Sequence, residues 1–351
     1  MRNPLRPVLR LAGPVALGLL CTACATGTAA DTGSRSRPPR AAPSPPPSAS
    51  ATAFAPYVSA TTAAGTDTAG APSTYNLAFV VNGNGIGNGT GTGTGTCEPS
   101  WGGTSAFDSA AVVARTAKLT SSGADLRVSF GGAAGTELAL SCADSDQLAA
   151  AYAKVLDAVG ATRADFDIEG DALTDTASIA LRDRALAQLQ KKRALDVTYT
   201  LPVMPSGLEK TAVAVLADAR DRGVEISAVN IMAMNYSSSD DGDMGDYAER
   251  AARAAHGQIA ATLGLSSAKA WKALHITAMI GVNDVPGETF TLADAAQLRT
   301  FALREGVGAL SMWATFRDRS CSAGVSTATA SDTCSGVGQS AGAFAKALSA
   351  G

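Results

Sequence analysis

The run Asp165-Phe166-Asp167-Ile168-Glu169-Gly170 holds three carboxylic acids at alternate positions. On an extended strand alternate residues share a face, so Asp165, Asp167 and Glu169 point one way and Phe166 and Ile168 the other. Three carboxylates on one inward face cannot all ionise cheaply, and crowding raises at least one pKa. A carboxyl that keeps its proton near neutrality can serve as a general acid. Glu169 closes the expected strand and is the residue placed for that work.

Other chemistries fit less well. The same spacing opens an EF-hand loop, but the Glu required at loop position twelve is Thr176 here. Only two histidines occur, His256 and His275. That argues against a multi-His zinc site and a Ser-His-Asp centre. One falls in a helix-like segment and the other at a strand start, so both read as structural. Gly occupies every second position from 83 to 95, so Gly-x-Gly-x-x-Gly never forms, and no Lys follows. This stretch reads as a flexible insertion rather than a phosphate loop. A formal charge of -3 carries no nucleic-acid footprint.

The elements that must position the acids follow from the pattern. Eight short apolar runs read as strands: 54–58, 75–81, 126–130, 164–169, 195–201, 228–234, 275–280 and 308–313. Amphipathic segments lie between most of them, at 110–119, 145–159, 177–192, 208–222, 247–263 and 292–304, with a last one at 339–348. Such alternation implies parallel strands joined by crossovers. Eight repeats over about 300 residues is the size of an α/β (β/α)8 TIM barrel. A doubly wound open sheet is the rival. The first crossover, 59–74, is Thr/Ala/Gly-rich and shows no helix. Arg317-Asp318-Arg319, after the eighth strand, reads as a solvated or ion-paired loop.

At the N-terminus, Arg2, Arg6 and Arg10 precede an apolar stretch, Leu11–Leu20. It is too short to span a bilayer and reads as a secretory signal over residues 1–25. Ala23-Cys24-Ala25 suits signal peptidase, whereas Leu20-Cys21-Thr22-Ala23-Cys24 is lipobox-like and would lipidate Cys24. Extracellular release and a lipid anchor at the cell surface are therefore both open. Nine of the 15 prolines fall within the first fifty residues, and 26–52 reads as a Pro/Ser-rich linker ahead of one domain at 53–351. Beyond the leader stand Cys97, Cys142, Cys321 and Cys334. An even count in an exported chain reads as two disulfides. Of the three connectivities, Cys97–Cys142 with Cys321–Cys334 is preferred, because the second pair would brace one Gly/Ser/Thr-rich loop. No Cys-x-x-Cys occurs, and neither a metal nor a cofactor is expected.

The acidic run resembles the Asp-x-x-Asp-x-Asp-x-Glu signature of family 18 glycoside hydrolases, the chitinases and their relatives. Further segments agree in order: Ser129-Phe130-Gly131-Gly132 on the third strand, Met232-Ala233-Met234-Asn235-Tyr236 on the sixth and Ser311-Met312-Trp313 on the eighth. Cys97-Glu98-Pro99-Ser100-Trp101-Gly102-Gly103 resembles a segment of a bacterial subgroup. The likeness spans roughly residues 54–320. Two positions depart from the pattern: Thr162 and Asn235 stand where the family has Asp.

The resemblance implies retaining hydrolysis of β-1,4-linked N-acetylglucosamine (GlcNAc) polymers. Glu169 would be the acid. Asp167 would orient the substrate's 2-acetamido group, and Asp165 would hydrogen-bond Asp167. Tyr236 or Asn235 would grip the acetamido carbonyl. Trp313 would floor the sugar, with Met234, Gly131 and Gly132 beside it. Trp101 reads either as a second stacking platform or as loop packing. The partner implied is chitin or another GlcNAc-containing polysaccharide, met by a monomer. An endo-β-N-acetylglucosaminidase and a chitin-binding lectin without turnover are the alternatives.

Overall fold

The computed structural model describes residues 52–83 and 97–349. The expected leader, Cys24, the linker up to residue 51 and the Gly/Thr repeat at 84–96 lie outside the described residues. Eight parallel strands form a ring. Strand β1 comes in two pieces, Ala53–Phe54 and Tyr57–Ser59, parted at Pro56, which has no N–H to give a ladder. Then follow β2 (Thr74–Asn82), β3 (Asp125–Gly131), β4 (Arg163–Asp167), β5 (Asp196–Pro202), β6 (Ile226–Ala233), β7 (Leu274–Met279) and β8 (Ala309–Trp313). Consecutive strands pair in parallel. The first piece of β1 pairs with β8, Ala53 opposite Ala309, and the second with β2, Tyr57 opposite Asn76. The sheet thereby closes on itself. It is the (β/α)8 barrel, and the open-sheet alternative is excluded.

The helices are α1 (Ala110–Thr120), α2 (Ser145–Val159), α3 (Thr176–Lys192), α4 (Lys210–Asp221), α5 (Met244–Leu263), α6 (Ser267–Ala273), α7 (Leu292–Glu305) and α8 (Ala343–Ser349). Caps set most of their starts. Asp144, Asp175 and Asp243 each accept an N–H from the first turn, and Thr291 with Asp294 forms a reciprocal capping box. The Asp243 cap starts α5 three residues before the expected Tyr247. The seven-residue α6 was not anticipated, because two turns are too short to show a period. No helix spans the first crossover.

Outward side chains of β3–β5 build the layer beneath the helices. Phe130 stacks on Phe166 with ring centroids 5.3 Å apart, and Tyr152 of α2 meets both edge-on. The barrel interior is polar instead. Thr277 donates to Asn230, and Asn230 donates to Thr200 and Tyr57. Deeper in, Arg127 donates to Asn76 at 3.1 Å. Buried polar groups must find partners, and here they find one another across strands.

His275 is the second residue of β7, where burial, with Arg127 and Lys272 nearby, pushes its pKa down to about 3. It stays neutral. His256 stacks on Trp271 with centroids 4.0 Å apart. Both are packing residues. After β8, Arg319 is exposed as expected, but Arg317 and Asp318 are not solvated. Arg317 (1% exposed) donates to the carbonyls of Ile280, Val282 and Ser331, and Asp318 (0%) accepts from the N–H groups of Phe344 and Ala345. Backbone groups partner this charged pair, which ties the loop after β7 and the start of α8 to the barrel.

Both preferred disulfides are formed, with Cα–Cα distances of 4.6 Å for Cys97–Cys142 and 4.9 Å for Cys321–Cys334. Loop-closure entropy puts the second at about 3 kcal/mol. Replacing Cys321 and Cys334 by Ala should therefore lower the denaturation midpoint by that equivalent. An unchanged midpoint would show that backbone contacts alone hold the loop.

Candidate active site

The carboxyl ends of the strands open onto a cleft of about 440 Å³, and Asp167 and Glu169 reach into it. β4 ends at Asp167, two residues earlier than expected. Glu169 instead leads into a one-turn helix, Gly170–Leu173, with Gly170 at φ +55°. Asp165 and Asp167 stay buried, at 1% and 5% exposed, while Glu169 stands half-buried over the cleft. The three acids thus form a graded series from barrel interior to mouth.

Asp165 is anchored on three sides. Thr200 donates to its Oδ1 at 2.6 Å, and Ser129 and Tyr57 donate to its Oδ2 at 2.7 and 2.8 Å. Burial pushes its pKa up, against these hydroxyls and the charge of Arg127. Both oxygens are engaged by hydroxyls, and the expected hydrogen bond to Asp167 is not made. Asp167 has a buried Oδ1 with no partner. Burial pushes its pKa well up, and the charges of Glu169 and Asp165 push it further. Glu169 is raised by burial first and then by Asp284. Two facing carboxyls raised together titrate as a pair and hold a proton to higher pH than free acids. A donor and an unsatisfied acceptor therefore share one cleft.

Asp284 was not foreseen. It lines the cleft from the loop after β7 and is bound to Asn235, whose Nδ2 donates to its carboxylate at 3.0 Å. Asn235 Oδ1 in turn accepts the backbone N–H groups of Asp284 and Val285, at 2.9 and 3.3 Å. Asn235 itself sits at φ +52°, a region in which Asn is among the better-tolerated residues. The residue pins one loop to another.

No protein-family model matches the chain. In an alignment that covers 76% of its length, it is 32% identical to the probable bifunctional chitinase/lysozyme of Escherichia coli (strain K12). It is 31% identical over an equal span to endochitinase 11 of Metarhizium anisopliae. The chain spans 31% and 52% of those two relatives. The catalytic domain of the hyperthermophilic chitinase from Pyrococcus furiosus superposes with a TM-score of 0.73 at 27% identity, covering 84% of this chain and 93% of that one. These likenesses support a chitinase-like domain of glycoside hydrolase family 18.

Within this chitinase-like barrel the expected contacts divide. Trp313, Met234 and Asn235 line the cleft. Trp313 stacks on Phe79 with centroids 5.4 Å apart, and Tyr57 and Phe316 meet it more nearly edge-on. Phe79 was missed. It lies on an inconspicuous apolar strand, and only ring closure brings it beside Trp313. Tyr236 does not line the cleft: it is 6% exposed and packs edge-on against Tyr247 of α5. The left-handed turn at Asn235 separates it from β6. Trp101 is 1% exposed and donates its indole N–H to Phe107. Its role is loop packing, and the platform reading falls.

Gly131 and Gly132 do not line the cleft either; Gly131 lets β3 run hard against β4, and Gly132 makes room for Phe79 of β2. A Cβ on Gly131 (φ +95°) would collide with the Asp167 carbonyl, and one on Gly132 (φ +91°) would come within 2.8 Å of the Phe79 ring. The Gly132 N–H donates to that same Asp167 carbonyl at 3.1 Å. These glycines seat the acid rather than the sugar.

Charge changes at the rim should move the pH profile in opposite directions. Asp284→Asn removes a charge that raises Glu169, so the alkaline limb of kcat/KM should shift to lower pH. Asn235→Asp adds one beside it, so the limb should shift to higher pH. Profiles of the two variants that shift alike, or not at all, would show that the rim does not couple to the acid.

Proposed function

We propose that this domain hydrolyses β-1,4-linked GlcNAc polymers, chitin and its oligosaccharides, with retention of anomeric configuration and with the substrate's own acetamido group as nucleophile. The observation that carries this is the pairing of a raised Glu169 with the buried, unpartnered Oδ1 of Asp167. Family 18 is among the exceptions to the two-carboxylate scheme. Glu169 gives its proton to the glycosidic oxygen as the anomeric C–O bond breaks. The acetamido oxygen bonds to the anomeric carbon and closes a cyclic oxazolinium ion. Asp167 accepts the acetamido N–H and balances the charge. Asp165, tied to β1, β3 and β5, holds the negative field beneath it. Water then adds to the anomeric carbon, passes a proton to Glu169 and reopens the ring. Trp313 offers the sugar an apolar face. A solved complex of the Pyrococcus furiosus chitinase with chito-oligosaccharides supports the substrate class. The two disulfides support an oxidising, extracytoplasmic setting for the domain. We take it to be exported, by cleavage after the leader or by lipidation at Cys24, and to act as a monomer.

Reducing ends released from colloidal chitin, chitooligosaccharides and a glycoprotein, measured side by side, test the substrate. Early NMR of the products tests the mechanism, because two inversions give the β-anomer first. An α-anomer as first product would rule out substrate assistance. Polymers without the acetamido group at the cleaved sugar should resist cleavage.

A further inference from the structure

A second cavity, of about 10 Å³, lies inside the barrel beneath the cleft, and all eight strands line it. Of the described residues, only Tyr57 lines both spaces. Three buried polar atoms belong to its walls: Arg127 Nε on β3, Thr198 Oγ1 on β5 and Ser311 Oγ on β8. None of the three has a protein partner among the described residues. The polar neighbours that could serve them are engaged elsewhere. Asn230 bonds Thr277, Thr200 and Tyr57, and the Asp165 oxygens take three hydroxyls. We propose that one buried water sits on the barrel axis beneath Asp165, held by Arg127, Thr198 and Ser311, and that it fixes the Arg127 guanidinium where its charge faces that carboxylate.

Size and chemistry select the occupant. A space of about 10–15 Å³ on this measure holds one water, and a buried water makes about three hydrogen bonds. Here one fixed donor, Arg127 Nε–H, meets two hydroxyls that can donate or accept. A small anion is the rival, because Arg127 is a cation. It is disfavoured because the Asp165 carboxylate lines the same cavity and repels it, and because a halide is larger than water.

Arg127 is tied at one other point. Its Nη1 donates to Asn76, whose Nδ2 is itself held by the Ala55 carbonyl at 2.8 Å. The water secures Nε, and the guanidinium is then clamped from two sides. Its charge favours the ionised form of Asp165. The titratable groups that face Asp165 are Tyr57 of β1, Arg127 of β3 and Asp167 of its own strand. His275 of β7 lines the cavity and is neutral. The side chains from β2, β5, β6 and β8 carry no charge. Arg127 is thus the cation under the acids, a positioning residue that acts through Asp165.

A crystal structure at atomic resolution, with and without a bromide soak, reads the site directly. One density peak within hydrogen-bond distance of all three atoms, with no anomalous bromide signal, is expected. No peak, or a bromide peak, overturns the proposal. Thr198→Val and Ser311→Ala give a second reading. Deleting a buried hydroxyl that bonds nothing should raise the denaturation midpoint, whereas deleting one that bonds a water should lower it. A lowered midpoint is expected in both, and an unchanged or raised one in either counts against the water. Arg127→Gln removes the charge, so Asp165 and Asp167 should ionise at higher pH. The acidic limb of kcat/KM should then move up by about one pH unit. The two hydroxyl variants should move it the same way by less. A limb that stays in place in folded Arg127→Gln, or that moves there and not in the hydroxyl variants, removes the positioning of Arg127 by the water. The crystallographic and stability readings need no substrate, so their failure is distinct from failure of the proposed function.

Discussion

Glu169→Gln should cut turnover on chitooligosaccharides by about 10²–10⁴-fold, the contribution of a positioned general acid. Gln keeps the shape and loses the transferable proton. The side chain is half-buried and stands at the start of a one-turn helix without capping it, so the variant should fold with an unchanged melting temperature. Binding should persist, because Trp313, Phe79 and Asp167 are untouched. Calorimetric titration with an oligosaccharide beside a single-turnover assay separates the two effects. A variant that retains near wild-type kcat would mean that another group donates the proton.

Gly131→Ala should be among the most damaging single-methyl changes in the barrel. A residue with a side chain at φ +95° costs about 1–3 kcal/mol. Forcing a methyl against the Asp167 carbonyl adds about 1–3 more. At about 2–4 °C per kcal/mol for a domain of this size, the melting temperature should fall by about 10 °C. Gly102→Ala is the control. Gly102 also has positive φ, at +59°, but has nothing within 4 Å of the added methyl. It should lose only the conformational part. Below the melting point, Gly131→Ala should also lose activity out of proportion to its folded fraction, because the displaced strand carries Asp167. Equal losses in the two variants would mean that β4 yields freely to β3.

The strands and the three acids were legible because each is a local pattern. Apolar runs between amphipathic segments mark strands, and alternate carboxylates mark one face of one strand. What anchors those acids was not local. Tyr57 reaches Asp165 from 108 residues away and Thr200 from 35. Neither residue type announces itself in a strand. The position of Asp284 depends on Asn235, whose left-handed backbone turns Tyr236 off the line that β6 would have continued. A motif aligned along an ideal strand places Tyr236 in the cleft, whereas the turn places it against α5. Trp101 shows the opposite limit: an aromatic beside two glycines looks like an exposed platform, until packing buries it.

The divided strand β1 has a consequence for how the chain is made. Ala53 meets Ala309 across nearly the whole domain, and the same short segment then meets β2. Until β8 exists, the first segment has only one of its two neighbours. A growing or translocating chain therefore carries bare edges on the first segment of β1 and on its newest strand, the kind of edge that recruits other chains. Such distant pairing slows folding, because closure entropy must be met before the contacts reward it. The barrel is sewn shut by its first few residues only after its last strand has arrived, so the chain remains threadable until synthesis is nearly complete.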